Sequence, residues 1–170
     1  MKNITYSLLR KLTVFSVFIF ASASLMAQTN FSGTWALNES KSNFGDSQFR
    51  FAATNMVITQ DASTISVAST MTGPDGEMKM SSKYNLDGTV SENTGMMDMK
   101  SKSTVAWSAD KSSVTIATTM IFDMNGESRE MKSTQTWKLA EGGKVLMIET
   151  TRPGFNGGPE TKTTAAYDKK

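Results

Sequence analysis

The fold of this chain is decided by residues 77–84, which read EMKMSSKY. Charged side chains alternate there with apolar or small ones, and successive side chains of a β-strand point to opposite faces of a sheet. One face would carry the charges, whereas the other would carry Met78, Met80, Ser82 and Tyr84. The stretch therefore predicts a β-strand whose second face is turned towards a protein interior.

The order of side chains along this inner face recurs in neighbouring segments. The segments 97–108 and 127–139 also have methionine first and tryptophan last on their predicted inner faces. The segment between them, 112–123, runs the opposite way in a meander, and its order is reversed as well. The methionine ends of these strands should therefore coincide in space, and so should their aromatic ends.

Strand signals and turn sequences continue from residue 28 to the end of the chain. We place ten strands at about 31–38, 54–60, 63–71, 77–85, 88–93, 97–108, 112–123, 127–139, 144–152 and 160–168. Short turns such as Asp87-Gly88 and Asn125-Gly126 separate them. Closing such a meander removes both exposed edges, so we predict an all-β, antiparallel up-and-down barrel of about 8–10 strands. An open two-sheet sandwich is the alternative architecture.

The first 27 residues have the layout of a secretory signal peptide. Basic residues Lys2, Arg10 and Lys11 precede an apolar run over 12–20, and small residues lead to Ala27. This run is shorter than the ~20 residues that span a bilayer. We therefore expect cleavage after Ala27, no integral membrane anchor, and export to a periplasm or to the cell exterior.

The remaining residues, 28–170, form one expected domain with almost no net charge. The whole chain holds 18 Lys and Arg against 16 Asp and Glu, and three of the basic residues lie in the leader. Nucleic acid is therefore not an expected partner. The sequence also has no cysteine and no histidine, so it lacks disulfides and the commonest metal ligand and general base. We predict no catalysis, no cofactor and no metal site.

Residues 31–37, FSGTWAL, resemble the opening strand of the calycin superfamily, which includes the lipocalins and the intracellular fatty-acid-binding proteins. In these families a Gly-x-Trp, here Gly33 and Trp35, places the tryptophan across the closed base of a barrel. The chain looks most like the small lipocalin-like proteins that bacteria export. The Arg-x-Tyr that clamps a fatty-acid carboxylate in the family would fall on 165–167, where the arginine is missing. Arg129, near the methionine end of the predicted barrel, could replace this arginine in part.

The order of side chains along the inner faces predicts a barrel with two different ends. Aromatic residues close one end, the base, and methionines line the open end, the mouth. Aromatic side chains would fill one end, small hydroxyl residues would leave volume in the middle, and flexible methionines would line the opening. We expect the base to contain Gly33, Trp35, Tyr84, Trp107, Trp137 and Tyr167. We expect a small hydrophobic or amphipathic ligand to contact Met56, Met71, Met78, Met80, Met97, Met99, Ser101, Ser103, Met120, Phe122, Arg129, Met131 and Ser133.

Four alternatives compete with this interpretation. The barrel could be filled entirely by its own side chains. The methionines could bind a soft metal such as Cu(I). Glu149, on the same strand face as Val145 and Met147, could act as an interior carboxylate, but no second acid can be placed opposite it. An interaction module acting through its exterior would instead show an exposed apolar stripe.

Overall fold

The computed structural model describes residues 27–45, 52–73, 76–95, 99–124, 127–154 and 158–170. The predicted signal peptide, apart from Ala27, and the predicted ligand contact Met97 lie outside the described residues. Ten strands are present where the sequence analysis placed them, to within a few residues at each end. They are β1 Gly33–Leu37, β2 Asn55–Gln60, β3 Thr64–Gly73, β4 Gly76–Asn85, β5 Ser91–Thr94, β6 Lys100–Trp107, β7 Ser113–Met124, β8 Glu127–Ala140, β9 Val145–Arg152 and β10 Thr161–Lys169.

β5 begins at Ser91, three residues after its approximate predicted start. Asp87 and Thr89 form a turn, in which the Thr89 N–H and hydroxyl both donate to Asp87 Oδ1, at 2.9 and 2.6 Å. This local bonding holds the backbone in a turn until Ser91. On β4 the predicted alternation is confirmed, because the charged residues are exposed while Met78, Met80 and Tyr84 are half-buried.

All ten strands form one antiparallel sheet, in the order β4-β3-β2-β1-β10-β9-β8-β7-β6-β5. The first and last strands pair directly, with Trp35 opposite Lys169 and Leu37 opposite Tyr167. Beyond β1, Asn43 exchanges two backbone hydrogen bonds of 2.7 Å with Thr164, which extends this junction towards the mouth. The all-β meander barrel predicted from the sequence is therefore confirmed.

Closure of the barrel differs from the prediction at one place, between β4 and β5. These strands share no backbone ladder. Instead, Asn93 Oδ1 accepts a hydrogen bond from the Lys83 N–H at 2.7 Å, and Asn93 Nδ2 donates to the Lys83 carbonyl at 3.0 Å. Ser91 Oγ accepts from the Asn85 N–H at 2.7 Å. The barrel is nearly closed, and polar side chains bridge its seam where backbone groups would otherwise pair.

Two turns at one end of the barrel are held by aspartates. Asp61 accepts hydrogen bonds from Ser63 and Thr64, which lower its pKa to about 2. Asp110 accepts from Ser108 and Ser112, with the same effect and a pKa of about 2. These carboxylates fix the β2–β3 and β6–β7 turns, which lie below the aromatic end of the interior.

Candidate functional site

The aromatic side chains do meet at one end of the barrel, around a residue that the sequence analysis did not place there. Phe31 is fully buried and stacks on Trp107, with ring centres 6.1 Å apart. It also meets Trp137 edge-on at 6.0 Å, and Tyr84 meets Trp137 edge-on at 6.4 Å. The indole N–H of Trp35 donates to the Phe31 carbonyl at 3.0 Å. These contacts form the closed base, and the signal for Phe31 was its position just before the Gly-x-Trp.

Gly33 and Tyr167 complete the predicted base in different ways. A Cβ at Gly33 would lie 2.9 Å from Cε of Lys169, whose ammonium group sits 5.3 Å from the centre of the Trp35 ring. The absent side chain therefore allows this cation–π contact. Tyr167 is buried in the same core, but its hydroxyl accepts a hydrogen bond from the backbone of Ala53, and burial raises its pKa to about 12. It thus braces β10 against the chain that enters β2.

The inward-facing side chains in the mouth half are partly exposed to solvent. Among the predicted ligand contacts, the half-buried side chains are Met71, Met78, Met80, Met99, Ser101, Met120, Phe122 and Ser133. Met56 and Ser103 lie deeper, with 5% and 2% exposure, and Met131 at the rim is 36% exposed. Arg129 is opposite Phe122 in the register and is exposed as well. The exposure of inward-facing side chains therefore increases from the base towards the methionine ends of the strands.

The hydroxyl groups in the middle of the barrel are partly bonded to one another. Ser103 and Thr118 lie opposite each other on β6 and β7, and their hydroxyl oxygens are 2.9 Å apart. Ser101 Oγ donates to the Asn93 carbonyl at 3.5 Å. The Ser103 hydroxyl is therefore satisfied without water or a ligand, because the facing strand supplies its partner.

β9 has the opposite orientation to the one that the sequence suggested. Its register puts Ile148 opposite Trp137 and Arg152 opposite Thr161, so the even-numbered residues face the interior. Glu149 lies on the outer face, where its Oε1 is 2.9 Å from the ammonium group of Lys162. The prediction of an interior Glu149 is wrong because β9 opens with four consecutive apolar residues, VLMI, which hide the alternation.

Arg152, the last residue of β9, consequently has inward register, which the sequence analysis missed, and its side chain also lines the groove on the outer face of the sheet. It is half-buried at the mouth end of β9, and burial lowers the pKa of its guanidinium group. The same register aligns it with the inner hydroxyl position Thr161. At the inner strand positions whose side chains are described, no carboxylate is present. The mouth half is thus apolar and hydroxyl-rich, with one partly desolvated cation.

A groove of about 460 Å³ follows the opposite, outer face of the sheet and extends to Arg152 at the end of β9. Its lining includes Thr104, Ala117, Thr134, Lys102 and Lys132, which all have outward register. These side chains are polar or small, but Val90, which is 54% exposed, also lines the groove. The other exposed large apolar residues in the described ranges are Val57 and Met131. Val57 faces outwards on β2 whereas Met131 lies at the inner rim, so these residues do not form the apolar stripe that an exterior interaction module would show.

The comparisons with known proteins give information on the fold alone. No family model matches the sequence, and no curated protein does so either. Among solved structures, the chain is similar to the zebrafish ileal bile acid-binding protein in complex with cholic acid, with a TM-score of 0.55 and 16% identity. The match covers 84% of this chain and 100% of that chain. The chain therefore shares its fold, a ten-stranded antiparallel barrel, with this protein.

Two kinds of feature are absent from the described ranges. They contain no helix with the length and hydropathy needed to cross a membrane. They also contain no group of three or more His, Cys, Asp or Glu side chains placed to hold a metal ion.

Proposed function

We propose that this protein is a non-catalytic carrier of a small amphipathic molecule, held in the mouth half of the barrel interior. The observation that carries this proposal is the division of that interior. Aromatic rings seal the base, whereas methionine, serine and threonine side chains line a mouth that solvent reaches. Methionine side chains adapt to guests of different shape, and an enclosed apolar wall favours burial of an apolar body.

Arg152 supports a ligand that carries an acidic group. It has inward register and is half-buried at the mouth end of β9. A guanidinium group has five N–H donors, and a single hydrogen-bond partner does not use all of them. An anion that accepts from the other donors forms strong, charge-assisted hydrogen bonds. We therefore place the acidic end of the ligand near Arg152 and its apolar body among the methionines. This position replaces Arg129, which is exposed at the rim.

The structural neighbour is consistent with this class of ligand. Cholic acid, the molecule in complex with that protein, combines an apolar body with an acidic group. At 16% identity the comparison supports the barrel fold and does not identify a ligand for this chain. The choice of an acidic amphiphile for this chain rests on the inner residues themselves.

A displacement experiment tests the proposal. The purified protein is titrated with a dansyl-labelled undecanoic acid, and then with oleic acid and oleyl alcohol as competitors. Arg152→Gln should weaken binding of the acid by roughly 10- to 100-fold, because a hydrogen bond to a charged group contributes about 1.5–3 kcal/mol. It should leave the dissociation constant of the alcohol, corrected for the weaker binding of the acidic probe, unchanged. Lys138→Gln removes an exposed cation from the outer face of β8 and is the matched control.

Three outcomes separate the components of the proposal. Restoration of acid binding by Arg152→Lys supports recognition of charge at this position. Equal loss of acid and alcohol binding in Arg152→Gln would show a structural role and contradict the placement of the acidic group. Failure of the wild-type protein to bind the probe or either competitor would overturn the carrier function itself.

We also propose that the chain is exported as a bacterial lipocalin-like protein. The basic residues, apolar run and small residues before position 28 support this localisation. Expression of the full chain in a bacterial host, followed by cell fractionation and intact-mass measurement, tests it. A product in the periplasm or medium that begins at Gln28 is expected, and an uncleaved product confined to the cytoplasm would contradict it.

A further inference from the structure

A row of polar side chains crosses the inner wall between the aromatic base and Arg152. Gln135 on β8 and Thr163 on β10 both lie opposite Thr150 on β9 in the register, and all three side chains are half-buried. We propose that these three residues, the Gln135 row, contact an oxygen atom in the body of the ligand, in a hydroxyl or a carbonyl group. This inference rests on the proposed carrier function and names its preferred ligand class, an acidic amphiphile with an oxygenated chain.

Trp137 sets the orientation of the Gln135 amide. Trp137 is 2% exposed and lies two residues further along β8, so the two side chains share the inner face. The indole N–H can only donate, and it donates to Oε1 of Gln135 at 3.1 Å. Nε2 therefore points away from this indole nitrogen. Its two N–H groups suit an acceptor oxygen, which the methylene groups of an alkyl chain do not provide.

The polar atoms of the row have no protein partner in the described ranges. Nε2 of Gln135 and the hydroxyl groups of Thr150 and Thr163 make no hydrogen bond there. Among the described side chains that are not exposed, Trp107 Nε1 is the one polar atom that is both fully buried and unpaired. The atoms of the row therefore retain accessible surface, and their inward register turns this surface towards the barrel interior. A bound ligand can reach them.

Several other polar groups of the inner wall have protein partners. The Ser103 and Thr118 hydroxyl oxygens are 2.9 Å apart, and the Tyr84 hydroxyl is hydrogen-bonded to Ser82. A site with unpaired polar groups discriminates against a ligand that lacks a partner for them, because binding then removes water without replacing its hydrogen bonds. A plain alkyl chain against the Gln135 row carries this penalty, and a chain with an oxygen atom at that point avoids it.

The position of the row defines where this oxygen lies in the ligand. Thr150 precedes Arg152 by two residues on the inner face of β9, which corresponds to about 7 Å along the strand towards the base. Ile116 lies opposite Gln135 on β7 and is 1% exposed, so apolar surface limits the row on that side. A ligand whose acidic group is near Arg152 therefore presents its chain, and not its acidic end, to the row.

Positional isomers of monohydroxypalmitic acid test the row, with palmitic acid as the reference. Their dissociation constants are measured by displacement of the dansyl-labelled probe and corrected for the affinity of each variant for the probe. The wild-type protein should bind the best isomer about fivefold more tightly than palmitic acid, the factor that one net hydrogen bond contributes. Gln135→Met retains the length of the side chain and removes the amide donors. It should therefore abolish this preference and bind palmitic acid as the wild type does.

Two further variants complete the test. Thr150→Val keeps the shape of its side chain and the bond between Trp137 and Gln135, and it should also reduce the preference. Thr134→Val, on the outward face of β8, is the control and should retain the preference. If Gln135→Met does not fold, Thr150→Val decides the result.

The outcomes distinguish the row from the carrier function. Equal wild-type affinity for palmitic acid and every isomer would overturn the row while the carrier function stands. The same conclusion would follow from an unchanged preference in both Gln135→Met and Thr150→Val, or from equal weakening of all the acids in these variants. Failure of the wild type to bind any of the acids would instead overturn the carrier function.

Discussion

Removal of the Phe31 ring should strongly destabilise the base. Phe31 has no exposed surface. The centre of its ring lies 6.1 Å from that of Trp107 and 6.0 Å from that of Trp137. Phenylalanine-to-alanine changes in cores cost about 3–5 kcal/mol. Each favourable ring pair contributes roughly 0.5–1.5 kcal/mol beyond its buried area. We therefore expect Phe31→Ala to lower the free energy of unfolding by about 4–5 kcal/mol, in the upper part of that range.

Urea denaturation at pH 7, followed by tryptophan fluorescence and circular dichroism, measures this loss. All three tryptophans lie in or beside the base, so their fluorescence reports directly on its packing. Phe31→Leu retains most of the apolar volume and should cost less than the alanine variant. Val57→Ala, at a residue that is 50% exposed on the outer face of β2, should change stability by no more than about 0.5 kcal/mol.

A free energy of unfolding for Phe31→Ala within about 1 kcal/mol of the wild-type value, a typical cost for an average substitution, would contradict this prediction. An equal loss in Val57→Ala would contradict it as well, because burial would then not distinguish the two positions. A variant that is too unstable to purify would leave Phe31→Leu as the quantitative comparison.

Two further predictions concern the seam and the turns. Asn93→Leu removes both side-chain hydrogen bonds to the Lys83 backbone, so we expect faster amide hydrogen exchange at Lys83 with the β7–β8 amides unchanged; slow exchange at Lys83 would contradict the bridge. Asp61 and Asp110 have pKa values of about 2 in the folded protein, against an ordinary value of 3.8. Their stabilisation is therefore present above pH 4 and is lost as the pH falls towards 2. The double variant Asp61→Ala, Asp110→Ala should show a smaller decrease in urea midpoint between pH 5 and pH 2.5, and an unchanged decrease would refute this assignment.

Much of the fold could be predicted because the relevant information is local. Alternation in β4 gave its two faces, and turn residues gave most strand boundaries. Prediction failed where neighbouring residues carry no such signal. The run VLMI at the start of β9 is apolar on both faces, so it concealed both the outward Glu149 and the inward Arg152. Tyr167 has an aromatic side chain like the base residues, but its hydroxyl partner, the Ala53 backbone, is far away in the chain.

The amino-acid sequence by itself determined the strand order along the chain, the inner face of most strands, and the order of methionines and aromatic rings along β4, β6, β7 and β8. These follow from a two-residue period and from local turn chemistry. Met56 is an exception to the order of methionines and rings, because the register places it directly opposite Trp35. Only the tertiary structure decided which residues face each other: Met71 and Met78, Arg152 and Thr161, or Asn93 and the Lys83 backbone. Strand register and barrel closure depend on contacts between segments that are distant in sequence, and no local pattern specifies those contacts.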